Sequence, residues 1–105
     1  MIKTDAELDV QDNLGRTPLM IAASRADVLM LYLLLKRGAA TNLANTDGWT
    51  ALMWAVTKHD IPCILALLHH AADPLIVNQA GESAFSLAEA LDNEDTLTLL
   101  RLHRG

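Results

Sequence analysis

Apolar and polar positions along this chain recur with a step of 33 residues. Leu19, Leu52 and Phe85 are linked by it, as are Ala22, Ala55 and Ala88; Leu31, Ile64 and Leu97; and Leu34, Leu67 and Leu100. The polar columns keep the same step, with Gly15, Gly48 and Gly81 followed by Thr17, Thr50 and Ser83. Each period predicts a polar turn, a short helix, a break and a longer helix. The turns DNLGRT, NTDGWT and NQAGES hold a glycine where the backbone needs positive φ. Thr17 is placed to cap the first short helix, with Pro18 at its first position, and Thr50 and Ser83 offer the same hydroxyl. A longer helix is predicted from Val28 to Lys36, stopped by Gly38, and the last one runs roughly from Glu94 to His103. In the second period Asp60 and Pro62 mark the equivalent start, but Ala71 stands where Gly38 did. A left-handed alanine costs about 1 kcal/mol, so a distorted helix end is expected there.

Such a unit cannot bury its apolar face alone, so the repeats must stack. The expected core rows are Leu19, Leu52, Phe85; Ile21, Trp54, Leu87; the three alanines; and Met30-Leu31, Cys63-Ile64, Leu97. With Met30, Leu31, Leu34 and Leu35 facing the core, Leu29, Tyr32 and Leu33 are left on the other side of their helix. Leu65 and Ala66 extend this patch by one period, and Asp95 and Thr98 end it. The patch is a candidate for self-association or contact with another domain, although packing within the repeats could absorb Leu33.

Composition narrows the function classes. At 105 residues, 51% apolar and 20% charged, the chain is one folded domain's worth of material. A net charge of −5 argues against nucleic acid as the partner. The longest apolar run, Val28 to Leu35, is far short of the roughly 20 residues of a membrane span. MIKTDAELD has charge where a secretory signal needs an apolar stretch, and the single Cys63 fits a reducing compartment. A cytoplasmic location is the expectation.

Reactive combinations are weak. His59 and Cys63 are four apart, but Pro62 intervenes, so His59 is expected in the loop and Cys63 in the core. His69 and His70 point apart at a helix end, and Asp92, Glu94 and Asp95 suit the start of a helix. Neither catalysis, nor a metal site, nor a cofactor is expected.

TPLMIAA at Thr17–Ala23, with DNLG before it and KRGA after it, resembles the ankyrin repeat family, and TALMWAV and SAFSLAE look like weaker copies. The resemblance implies an all-α solenoid of helix–turn–helix repeats with short β-hairpin loops, and binding of another protein as the usual function. It divides the chain into a remnant of a preceding repeat at 1–11, repeats at 12–44 and 45–77, and a capping repeat at 78–105, with Asp95, Thr98, Arg101 and Arg104 as the polar outer face of the cap. The N-terminal side is expected to be open. Two departures stand out. Met20, Met53 and Ser86 replace a turn-bracing histidine, and Ala26-Asp27, His59-Asp60 and Asp92-Asn93 replace a Gly-His, so less regular loops are expected.

In the family, the positions of Arg16, Trp49 and Glu82 are variable residues that touch partners. Trp49 either anchors a partner or lies flat on a neighbouring hairpin, while Trp54 stands at a core leucine position. Beside this row run Arg25, Lys58 and Leu91, with Ser24, Thr57 and Ala90. Together with Asn13, Leu14, Thr46 and Asp47 they make the expected concave face, its Arg25 and Lys58 suited to an acidic group or merely solvated. The alternative is a structural or oligomerising unit, or a regulatory segment of a larger protein. It would use the open N-terminal side and the Leu29, Tyr32, Leu33, Leu65 patch.

Overall fold

The computed structural model describes residues 7–103. Among them are six helices and no strand: α1 (Pro18–Ser24), α2 (Val28–Lys36), α3 (Ala51–Thr57), α4 (Ile61–His69), α5 (Ala84–Ala90) and α6 (Glu94–His103). Helices α1, α3 and α5 pack side by side as one row, and α2, α4 and α6 as a second row behind it. The product is an all-α stack 38 × 25 × 24 Å in extent. None of its helices is long and apolar enough to cross a membrane.

Side-chain caps start every helix. The hydroxyls of Thr17, Thr50 and Ser83 accept the N–H groups of Met20, Met53 and Ser86 at 3.2, 3.4 and 3.2 Å. For the longer helices Asp27, Asp60 and Asn93 accept those of Met30, Cys63 and Thr96 at 3.2, 3.2 and 3.3 Å. The residue before each of these caps is left-handed: Ala26 at φ 55°, His59 at 52° and Asp92 at 54°. The loops expected to be irregular are therefore alike, because the cap that follows fixes a left-handed residue even where glycine is missing. Ala71 is left-handed too, at φ 66°, in the place Gly38 holds at 94°. The preceding His70 leaves helical geometry, with ψ 31°.

The missing turn brace is replaced rather than lost. Met20 and Met53 are buried in the core, and Ser86 forms a reciprocal pair with Ser83, its Oγ accepting the Ser83 N–H at 2.7 Å. Leu19, Leu31, Leu52, Ile64, Leu67 and Leu100 fill the centre, and buried Ala22, Ala55 and Ala88 let the short helices approach one another. Leu8 is buried, and Asp9 accepts the Ala40 N–H at 2.9 Å, as Asn42 accepts that of Asp73 at 2.8 Å one repeat on. The reading of Met1, Ile2 and Ala6 as part of an earlier repeat lies outside the described residues, and so does Arg104.

Four core expectations need correction. Met30 is 47% exposed rather than buried. Its equivalents Cys63 and Thr96 are fully buried on α4 and α6, each of which packs against the outer helix before it, whereas no described outer helix precedes α2. Ile21, Trp54 and Phe85 are only half-buried, the last two lying at the edge of the core against it.

A candidate protein-binding face

Three side chains shape the turns. Asp12 Oδ1 accepts the N–H groups of Leu14 and Arg16 at 3.0 and 2.8 Å, and Asn45 Oδ1 those of Asp47 and Trp49 at 2.9 Å each. Asn78 does the same for Ala80 and Glu82, at 3.0 and 2.9 Å. Each turn doubles back in hairpin fashion, closed by Asp12 N–H to Arg16 O, Asn45 N–H to Trp49 O and Asn78 N–H to Glu82 O. Neighbouring turns are then joined: Thr46 N–H donates to Leu14 O at 3.0 Å and Gln79 N–H to Asp47 O at 3.1 Å. Gln11 Nε2 adds bonds to Gly15 O and Ala44 O, and Gln79 Nε2 one to Thr46 O. Glycine is required for this closeness. A Cβ on Gly15 would stand 2.9 Å from Thr46 N, and one on Gly48 2.9 Å from Asn78 Cα.

On this strip the expected face residues divide. Asn13, Leu14, Thr46 and Asp47 are exposed, as are Arg25 and Lys58 at the ends of α1 and α3. Arg16 is held by Asp12, Nε to Oδ2 at 2.7 Å, and half-buried Glu82 accepts from Asn78 Nδ2 at 2.9 Å. Ser24 and Thr57 are half-buried and turn their hydroxyls back to Ile21 O and Trp54 O, both at 2.8 Å. Leu91 is 52% exposed.

The tryptophans are partners. Trp49 and Trp54 have ring centroids 4.5 Å apart and planes tilted by 35°, so Trp49 lies against the tryptophan of its own repeat. Both are half-buried. In the second patch, Leu29, Tyr32 and Leu33 are exposed as expected, whereas Leu65 is half-buried within the stack.

Between the second and third repeats lies a shallow cleft of about 430 Å³, lined by Thr57, His59, Leu91 and the run Asp92, Asn93, Glu94, Asp95. Two of the lining residues are bonded to each other, Asn93 Nδ2 donating to His59 Nδ1. Sequence reasoning left this acidic rim out of the face because carboxylates at a helix start are ordinary capping, and only the fold sets them beside Thr57.

Electrostatics give no sign of reactive chemistry. The Arg16 backbone N–H, with the Arg16 guanidinium and the Leu14 N–H, holds the Asp12 carboxyl below its usual value. Burial, with the Asp60 carboxylate nearby, pushes the Cys63 thiol up to about 12, the opposite of an activated thiolate. No group of three or more metal-ligating side chains occurs among the described residues.

A family model of ankyrin repeats, in three copies, matches residues 1–78. Among curated proteins, the chain is 43% identical over 86 residues to a segment of the palmitoyltransferase AKR1 of Naumovozyma castellii, covering 82% of this chain and 11% of that protein. It is 36% identical over 102 residues to the neurogenic locus notch homolog protein 1 of Danio rerio, and 34% to that of Mus musculus, covering 95% of this chain and 4% of each. The matched segment is a small part of these relatives, the palmitoyltransferase included. The period, the capped helix pairs and these matches together establish that the chain belongs to the ankyrin repeat family.

Proposed function

We propose that the chain is a non-enzymatic module that binds another protein through the concave face made by its turn strip and the ends of α1 and α3. Ankyrin repeats in general are protein-interaction modules. What supports this particular face is the hydrogen-bonded joining of successive turns, which presents Asn13, Leu14, Thr46 and Asp47 on one rigid strip. Half-buried Trp49 supplies the apolar anchor, and Arg25 and Lys58 supply positive charge on a molecule of net charge −5. An acidic group of the partner fits beside Arg25 and Lys58. Residues Arg16, Ser24, Thr57 and Glu82 hold the face in shape through their internal bonds. A single cysteine, which cannot close a disulfide within the chain, fits a reducing, cytoplasmic setting.

The test is a quantitative pull-down from lysate with the wild type, Trp49→Ala and Lys58→Glu. Lys58 is the exposed C-cap of α3, so Lys58→Glu should lower the melting temperature only slightly, by the loss of about 0.3–1 kcal/mol of helix-dipole stabilisation, while reducing capture several-fold. If both variants capture the same proteins as well as the wild type, the face is wrong. A second reading is a structural or regulatory segment of a larger protein. It is favoured by the exposure of Leu29, Tyr32 and Leu33 and by the small share of each relative that this chain matches.

A further inference from the structure

The third turn ends the strip with one edge uncovered. Along the strip, Thr46 N–H donates to Leu14 O and Gln79 N–H to Asp47 O. In each joint the accepting carbonyl precedes a glycine, Gly15 or Gly48, on which a Cβ would stand 2.9 Å from the backbone of the next turn. The 33-residue register carries this pair to Ala80 and Gly81. There the carbonyl has no donor among the described residues, and Gly81 is exposed where Gly15 and Gly48 are half-buried. A Cβ on Gly81 would meet no described residue within 4 Å.

The side chains of this edge change as well. Asp9 and Asn42 reach the next repeat, accepting the N–H groups of Ala40 and Asp73 at 2.9 and 2.8 Å, and Gln11 Nε2 reaches Ala44 O at 3.0 Å. At the equivalent places in the third repeat stand Leu75 and Val77, 59% and 57% exposed. Neither can make such a bond. Aliphatic groups stand where polar ones joined the next repeat, so the edge offers apolar contact beside a free carbonyl.

We infer that an extended segment of a partner protein adds to this edge, its backbone N–H donating to Ala80 O and its apolar side chains covering Leu75 and Val77. Gly81 lets the segment come as close as the next turn comes to Gly15 and Gly48. The helices behind the edge decide against a further repeat as the occupant. Where the first two repeats bury Met20 and Met53, Ala23 and Val56, and Leu35 and Leu68, the third carries Ser86, Glu89 and Arg101. A stacked helix pair would have to bury a carboxylate and a guanidinium, whereas a segment lying along the turn leaves both in water. The first turn of a second copy, whose Asn13 N–H is the equivalent donor, brings α1 and α2 with it and meets the same obstacle.

The edge shares no residue with Trp49, Arg25 or Lys58, so it and the concave face can fail separately. The probe is a display library of random linear peptides panned on the full 105-residue chain, with the selected peptides then titrated into isotope-labelled protein. The expected result is enrichment of peptides in which apolar residues alternate, and shifts of the Val77, Ala80 and Gly81 amide signals on binding. Leu75→Glu and Val77→Glu, both at exposed positions, should keep the circular dichroism spectrum and each weaken binding about tenfold. Trp49→Ala should leave it unchanged. A library that yields no binder overturns the inference, as do selected peptides that bind the folded Leu75→Glu and Val77→Glu chains as tightly as the wild type. Self-association that these two substitutions abolish overturns it too, since a second copy would then be the occupant.

Discussion

At Cys63 and Thr96, two equivalent positions, the same burial has opposite consequences. The Cys63 thiol behaves as a small apolar group, with its ionisation pushed up to about 12 from an ordinary 9.0. Because the folded value lies above the unfolded one, stability is fully present below pH 9.0 and declines as pH rises from there towards 12. A thiol reagent at neutral pH should label the native chain only at its rate of opening, and label it completely in denaturant. Rapid native labelling would contradict this. Thr96 Oγ1 is buried without a hydrogen-bond partner among the described residues. Replacing it with the isosteric valine should stabilise the chain by about 1 kcal/mol in urea unfolding. At Asp12 the shift has the other sign: its lowered value contributes stability above the ordinary 3.8, lost as pH falls below it. Asp12→Asn, which restores the residue type of Asn45 and Asn78, should keep the turn and flatten the acid side of the stability profile.

At the level of elements, the turns and helix ends determine how closely repeats approach. Gly48 and Gly81 share a positive φ, 83° and 80°, but a Cβ meets the next turn only at Gly48. Gly81→Ala should therefore cost about 1 to 2 kcal/mol of backbone strain, and Gly48→Ala distinctly more, as measured by denaturant midpoints. Equal costs would mean that the turn strip yields more readily than its hydrogen bonds suggest. Ala71→Gly should gain about 0.5 to 1 kcal/mol, because it relieves a left-handed alanine. Helix positions were legible from the sequence because caps and periodicity are local. The equal geometry at Ala26, His59 and Asp92 was not, since nothing local announces that a non-glycine residue will be held left-handed by the cap after it.

For the whole molecule, stability resides in the contacts between adjacent repeats. Leu52 in the central repeat is 1% exposed, and Leu52→Ala should cost about 2 to 5 kcal/mol. Since every repeat leans on its neighbour, the loss should appear as one shifted transition by both tryptophan fluorescence and circular dichroism. The tryptophans report the same interdependence. Sequence placed Trp49 on an arm and Trp54 in a core row, yet each is half-buried against the other. The candidate face was legible as a set of columns, while the division of its members into exposed and internally bonded ones depended on side-chain geometry.

What the sequence determined by itself is the repeat: its 33-residue period, its capped helix pairs, its buried alanine and leucine columns and its family. These follow from interactions within a few residues, copied three times, so the pattern is visible in one dimension. The tertiary structure decided what depends on neighbours in space. It paired the tryptophans, joined the turns into one strip, set an acidic rim beside Thr57 and left Met30 in water where Cys63 and Thr96 are sealed. The physical reason is that exposure belongs to a position's surroundings and not to its residue type. In a stack, equivalent columns have different surroundings at the two ends.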